Sequence, residues 1–325
     1  MTFLGGGFGR KAFMDYPHEA AVISKEINAP VQVVWTREDD MTQGPFRPGA
    51  VYGCKGVIDG DRIVAMQTKM ATQNMSQQGP HADKTMYNDS TLEGLLKPYL
   101  DAIPHYSFGD VPTESPLPVM WWRSVYSSTN GFAYESFIDE LAHAAEKDPL
   151  EFRRNHIADN ERYALLTDKL AELTNWKSRG KNEGWGVAIT ECFGSIVGQV
   201  VKVSKNADGK IKINKVTALM DCGWYVNPDI IRAQVEGSIV MALGAATKHE
   251  THFEDGKAVE KNFDSYKMPR LTDIPEIEVH IMENNERAGG VGEPGLPPFA
   301  PALCNAIFDL TGKRIRKLPF NLDEV

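Results

Sequence analysis

The chain has 325 residues, 42% hydrophobic and 24% charged, a globular composition long enough for a large core in two domains or one elongated one. A net charge of −9 argues against nucleic acid or an anionic membrane as the main partner, and no apolar run reaches the roughly 18 residues that a bilayer span needs. The four cysteines, Cys54, Cys192, Cys222 and Cys304, form no CxxC pair, so a self-contained zinc or iron–sulfur site is not expected. No charged-then-apolar leader heads the chain, which reads as cytoplasmic, with export on a partner's or an upstream signal left open.

In chain order, the first residues read as the end of a strand entering a glycine turn, GGGFGRK. Asp15-Tyr-Pro17-His-Glu19 is a helix start, and Ala20, Ile23 and Ile27 follow at helical spacing. Pro30–Asp39 is β-branched and predicts a strand, and 53–74 predicts two strands turned at Asp59-Gly60. Residues 75–120 read as loops with short elements. Gly131–Ile157 is helical, interrupted at Asp148-Pro149, with a second helix over Pro149–His156. Residues 158–184 read as a polar connector and the best domain boundary. Strands follow at Trp185–Thr190, Gly198–Ser204 and Lys210–Asp221, then a helix from Asn227-Pro228 through Ala246, a strand at Glu276–Met282, and a helix from about Pro301 to Leu310 ended by Gly312. Strands and helices do not alternate strictly, which favours α+β over a doubly wound sheet.

Four elements carry candidate chemistry. The loop Gly5-Gly-Gly-Phe-Gly-Arg10-Lys11 fits neither the dinucleotide fingerprint nor the P-loop, yet its bare N–H groups suit an anion. The alternative is a tight turn with Phe8 plugging the core. In Gly289-Gly290-Val291-Gly292-Glu293-Pro294-Gly295 a lone carboxylate sits among residues that leave room around it. Enclosed, Glu293 would be a candidate base; exposed, it is a solvated surface turn. Arg123 beside Trp121 and Trp122 suits an anion under an aromatic lid, or a structural ion pair. Gln234 could bond a polar ligand from its helix or simply face solvent.

The order of these elements and their flanks carries a resemblance: GGGFGR, VQVVWTREDDM with RPGA, WRSVYSSTNGFAYESFIDELAHAAEKDPLEFRRNHI, DCGWYVNPDIIRAQVEGSIV, then GGVGEPGLPPFAPALCNAIFDLTGKRIRKLP. Together they resemble the molybdenum-binding large subunit of the xanthine dehydrogenase/aldehyde oxidase family, nearest the isoquinoline 1-oxidoreductase β-subunit branch, over essentially residues 2–320. The resemblance implies an α+β molybdenum cofactor-binding fold of mixed sheets and packed helices, in two subdomains, 1–178 and 179–325. It implies a molybdopterin cofactor, in bacteria often the cytosine dinucleotide, whose dithiolene holds the metal without a protein ligand. A hydroxide on that metal would attack an electron-poor carbon of an aldehyde or N-heteroaromatic, with water as oxygen source. Electrons would leave for [2Fe–2S] clusters on a small partner subunit, and a cytochrome or flavin subunit is a further candidate partner.

Carried over by matched motif, Glu293 is the expected base. Gly6, Gly7, Phe8, Gly9, Arg10, Arg123, Gln234, Gly290, Val291 and Gly292 are the expected cofactor contacts. Two departures stand out. The family's Met-Gly-Gln-Gly segment is absent from the chain, so a separate N-terminal molybdopterin-binding chain is the expected supplier. The arginine loop reads Arg123-Ser-Val where other branches are richer in glycine. A truncated enzyme, or a non-catalytic relative used as a cofactor-binding or assembly scaffold, is the alternative; retention of Glu293 argues against the scaffold.

Overall fold

A computed structural model describes residues 6–12, 14–75, 89–180 and 182–325. The strand end expected over the first residues, and 76–88 of the expected loop region, lie outside the described residues. The centre of the molecule is a four-stranded sheet of β4 (Glu183–Cys192), β5 (Ser195–Lys205), β6 (Ile211–Asp221) and β9 (Glu276–Ile281), in that order. Its pairs are antiparallel except β6 with β9. A second sheet holds β1 (Ala50–Asp59), β2 (Arg62–Thr72) and β3 (His105–Pro112), with β1–β2 antiparallel and β2–β3 parallel. A two-residue hairpin, β7 (Phe253–Glu254) and β8 (Lys257–Ala258), is peripheral. Mixed sheets with packed helices agree with the α+β expectation.

Alternation along β5 explains why the central sheet is covered on both sides. Ile196 and Val200 join one core cluster, while Val197 and Val201 join another. The first cluster takes Tyr134, Ile138 and Leu141 of α3 (Val125–Ala144), Leu150 and Phe152 of α4 (Pro149–His156), and Leu166 and Leu170 of α5 (Glu161–Thr174). The second takes Ile231, Val235 and Ile239 of α6 (Pro228–Thr247) with Phe299, Leu303 and Ile307 of α7 (Phe299–Thr311). The contact of α7 with β4 depends on glycine. A Cβ at Gly184 would overlap the Ala306 carbonyl oxygen, and one at Gly186 would overlap that of Ala302.

Three expectations are corrected. Pro30–Thr36 half-buries Val31, Val33 and Trp35 alternately but forms no strand among the described residues; Thr36 instead caps α2 (Arg37–Gln43) in a capping box with Asp39. The supposed connector 158–184 contains α5, with Asn160 as N-cap and Tyr163, Leu166 and Leu170 buried at helical spacing. The loop-rich stretch contains β3, an eight-residue strand whose burial does not alternate and so gives little periodicity to read. The first helix, α1 (Asp15–Ile27), forms as expected and buries no residue. No helix among the described residues is long and apolar enough to cross a membrane.

Gly186→Ala is expected to cost about 2 kcal/mol or more, because backbone of α7 must move to admit the methyl group. Gly53→Ala, where nothing lies within 4 Å of the added Cβ, is expected to stay within about 0.5 kcal/mol of the parent. Urea-unfolding midpoints of the two variants check the contrast.

Candidate active site

Arg123 lies in the turn that leads into α3. Ser124 and Val125 there adopt left-handed backbone, with φ of 68° and 47°. This sharp bend sends the Arg123 side chain towards the loop before α7 and towards α6. Its Nε donates to the Gly292 carbonyl at 2.9 Å, and Nη2 donates to the same oxygen. Nη2 also donates to the Gln234 carbonyl at 3.1 Å and to Gln234 Oε1 at 3.0 Å. Ser124, fully buried, donates from Oγ to the Glu293 carbonyl at 2.7 Å. Its N–H reaches Glu293 Oε1 at 3.5 Å. Three expected residues, Arg123, Gln234 and Gly292, therefore meet directly, and the neighbour of Arg123 holds Glu293.

Glu293 is half-buried, so neither a fully enclosed pocket nor a solvated surface turn describes it. The loop that carries it is fastened at its start. Gly290 N–H donates to the Phe193 carbonyl at 2.9 Å, and Ser195 Oγ donates to the Gly290 carbonyl at 2.6 Å. Val291 packs on the second core cluster. Gly289 N–H donates to the Cys222 carbonyl at 2.9 Å, which ties the loop to the end of β6. There Asp221 accepts a fork from Arg162 at 2.8 and 2.9 Å, the Asn284 amide at 3.0 Å and the Gly223 N–H at 3.0 Å. Burial pushes the Asp221 carboxyl up, but the Arg162 fork and these other donors outweigh it and hold it below the usual carboxylate range.

The opening glycine loop joins the site through backbone. Phe8 is 60% exposed with φ of 50°, so it does not plug the core. Arg47 donates from Nη2 to the Phe8 carbonyl at 2.6 Å and from Nη1 to the Trp121 carbonyl. A Cβ at Gly9 would overlap that same Trp121 oxygen, and Gly9 has φ of 80°. Glycine alone lets this loop press against the segment that ends in Arg123. Gly6 and Gly7 lie on the loop next to Phe8 and Lys11 respectively. The Arg10 guanidinium pairs with Asp15 at 2.8 Å, reaches the Gly44 carbonyl at 2.9 Å and lies over Trp35. It is not brought to Arg123, Gln234 or Glu293. No aromatic lid covers Arg123 among the described residues: Trp122 packs on the second core cluster and Trp121 on a small third one.

Burial lowers the Arg123 pKa, and the Glu293 charge opposes that shift. Burial also raises Glu93, with the Glu293 charge adding to it, and pushes Cys192 up to about 12. Ser124, Arg47 and Glu93 were not among the expected site residues. Ser124 and Arg47 lie inside the quoted WRSV and RPGA strings; nothing local marks Glu93.

The description "Molybdopterin cofactor-binding domain" matches residues 1–157 and, in a second family, residues 133–275. The chain belongs to the molybdopterin-binding large subunits of the xanthine dehydrogenase/aldehyde oxidase family. Within that family it is 29% identical to isoquinoline 1-oxidoreductase subunit beta of Brevundimonas diminuta, over 98% of this chain and 42% of that one. It is 31% identical to a membrane-bound aldehyde dehydrogenase [pyrroloquinoline-quinone] of Gluconacetobacter polyoxogenes, over 97% of this chain and 45% of that one. The chain thus spans less than half the length of these curated relatives. Among solved structures, quinoline 2-oxidoreductase from Pseudomonas putida 86 superposes with a TM-score of 0.80 at 15% identity, over 97% of this chain and 66% of that one, which shows the shared fold.

Asp221, ionised in the folded chain below its unfolded value of about 3.9, contributes stability that is complete above that value and is lost as pH falls through the lower folded one. Wild type is therefore expected to resist urea better than Asp221→Asn at pH 7, with the gap closing below about pH 4. Urea titrations of both proteins across this range check it.

Proposed function

We propose that this chain is the C-terminal molybdopterin-binding portion of a molybdenum hydroxylase. The enzyme oxidises an aldehyde or an N-heteroaromatic with water as oxygen donor, and passes electrons to [2Fe–2S] centres on a partner subunit. The observation that carries this reading is the meeting of Arg123 with Gln234 and Gly292 beside Glu293. Here the guanidinium takes neutral oxygens, and Glu293 remains with one long contact from Ser124 N–H among the described residues.

The residues present fit a molybdopterin. A Cβ added at Gly292 would meet nothing closer than Gln234 Oε1 at 4.0 Å, so the side of Gly292 away from its carbonyl has room for a close-lying group. Phe8 and Gly6 are exposed and Gly7 and Gly9 half-buried, so the loop presents an accessible surface to a planar pterin. No group of three or more His, Cys, Asp or Glu gathers among the described residues, so a metal here needs ligands from the cofactor itself. Gly6, Gly7, Phe8, Gly9 and Arg10 would line the pterin side. Gln234, Arg123, Gly290, Val291 and Gly292 would line the metal side. The cytosine dinucleotide is the form we propose.

When bound, the cofactor supplies oxygen transfer and takes up the two electrons of the oxidation. The chain's own part is to place and move a proton. Glu293 accepts the proton of the water-derived nucleophile at a carboxylate oxygen, as a general base. Ser124 fixes the Glu293 backbone, and Arg123 fixes that of Gly292, so the segment that carries the base is held in place. Gln234 spends its side-chain oxygen on Arg123, leaving its amide N–H groups free to donate towards the cofactor.

We further propose two subdomains, 1–178 and 179–325, that share the first core cluster, and a separate N-terminal chain that brings the missing Met-Gly-Gln-Gly segment. Pterin, quinone and metal analysis of the complex purified from its host decides the cofactor. Stoichiometric molybdenum with pterin supports the reading; pyrroloquinoline quinone without molybdenum contradicts it.

Glu293→Gln is expected to cut turnover at least ~10²-fold, the lower end for removal of a general base, while molybdenum content stays at the parent level. Near-normal turnover in that variant would remove Glu293 from the role. Arg123→Ala is expected to lower molybdenum content itself, because it frees both Gly292 and Gln234; metal analysis of the purified variant checks this.

A further inference from the structure

The turn that carries Glu293 is also held by a residue of the central sheet. Glu293-Pro294-Gly295-Leu296 closes on itself, with Leu296 N–H donating to the Glu293 carbonyl at 3.0 Å. From Pro294 through Phe299 the segment is buried, and Pro294, Pro297 and Pro298 bring no N–H of their own. The Gly295 carbonyl takes its hydrogen bond from outside the segment. Gln199, in the middle of β5, donates to it from Nε2 at 2.7 Å.

Gln199 is a costly residue for its place. It is fully buried, on the face of β5 that Val197 and Val201 give to the second core cluster. Its cross-strand neighbours are Ala188 on β4 and Ala218 on β6, two small side chains that leave room for a long amide. Nε2 serves Gly295, but Oε1 has no hydrogen-bond partner among the described residues. An amide satisfied on one side only, in an apolar layer, is not what packing alone selects.

A Cβ at Gly295 would lie 3.1 Å from Ser238 Cβ and 3.2 Å from Val235 Cα, so the turn lies directly on α6. Val235 follows Gln234, and Ser238 Oγ donates to the Gln234 carbonyl at 2.8 Å. On the other side of Glu293, Arg123 ties Gly292 to Gln234. Glu293 thus sits between two clamps, one from Arg123 and Ser124 and one from Gln199.

We infer that Gln199 is a positioning residue for the base: its amide fixes the Gly295 carbonyl and so sets where the Glu293 turn lies on α6, next to Gln234. The inference rests on the reading of Glu293 as general base, and Gln199 acts only through the loop. Arg123 and Ser124 come from a turn. Gln199 comes from a strand paired on both sides, which registers the loop to the stiff centre of the molecule. An apolar side chain of similar shape would remove the unpaired Oε1 and leave the Gly295 carbonyl unpaired instead. Those two changes oppose each other in stability, whereas nothing compensates the lost position.

Gln199→Met keeps the length of the side chain and removes the donor. In the complete complex it is expected to lower kcat ~10-fold, short of the ~10²-fold that a misplacement of about 1 Å can cost. KM, molybdenum content and thermal midpoint are expected to stay at parent values. Hydrogen exchange over residues 291–299 reads the turn without turnover, and the Leu296 amide is expected to exchange ~10-fold faster, the scale of one hydrogen bond. In the Glu293→Gln background, Gln199→Met is expected to lower kcat by less than ~2-fold more, because the two residues act as one unit. Gln199→Asn, whose amide is one methylene shorter, is expected to behave as the Met variant does. Parent kcat in Gln199→Met, unchanged exchange, or an undiminished further loss in the Glu293→Gln background would each overturn the inference. Loss of folding in both variants would assign the amide to the core and overturn it too. Glu293→Gln alone separates the two claims. Near-normal turnover there overturns the base reading; a strong loss there with parent turnover in Gln199→Met overturns Gln199 alone.

Discussion

One guanidinium holds the site together. Arg123 joins a turn before α3, a helix more than a hundred residues later and the loop before α7, segments that the chain order keeps apart. Charge-assisted bonds of this kind contribute about 1.5–3 kcal/mol each when shielded from water, and losing the donor would free the Gly292 and Gln234 carbonyls. A carboxylate in place of those carbonyls would neutralise Arg123 and close the site. Neutral oxygens instead leave its positive charge available beside Glu293, where the anionic cofactor we propose would benefit from it.

The scaffold around this contact is stiff for reasons that can be traced. The central sheet buries both faces, so β5 and β6 cannot slide without exposing one core or the other. Glycines at 184 and 186 let α7 lie on β4, and that fixes where the Glu293 loop must end. The Arg162 fork on Asp221 fixes where the loop begins. Between these points Gly289 and Gly290 lie too close to Ser195 and Phe193 for a Cβ, and Pro294 limits the loop on the far side.

Much of this was legible in the sequence, and the gaps have physical causes. Strongly patterned elements such as β5, β6, α6 and α7 appear where periodicity and caps place them, because burial on a fixed face decides them. Val31, Val33 and Trp35 have strand character, but a strand needs a partner edge, and composition cannot supply one. Glu161–Thr174 looked polar because its exposed side is charged, although Asn160 and the Tyr163, Leu166, Leu170 stripe were there to be read. In the site, Glu293 advertises itself through the glycines around it. Ser124 does not, since its role depends on a left-handed backbone that Arg-Ser-Val gives no hint of. The resemblance supplied the cofactor; spacing and composition could have supplied only an anion site with a sheltered acid.

The central claim is that Arg123, Gln234 and Glu293 surround the metal of a molybdopterin. Anomalous diffraction at the molybdenum edge, from crystals of the complete complex, locates that metal directly. The account predicts a single peak facing Gln234 and Gly292, close enough for a Glu293 oxygen to lie about 3 Å from the reacting oxygen. A peak elsewhere in the chain, or a Glu293 carboxylate turned into bulk solvent with the peak present, would contradict it.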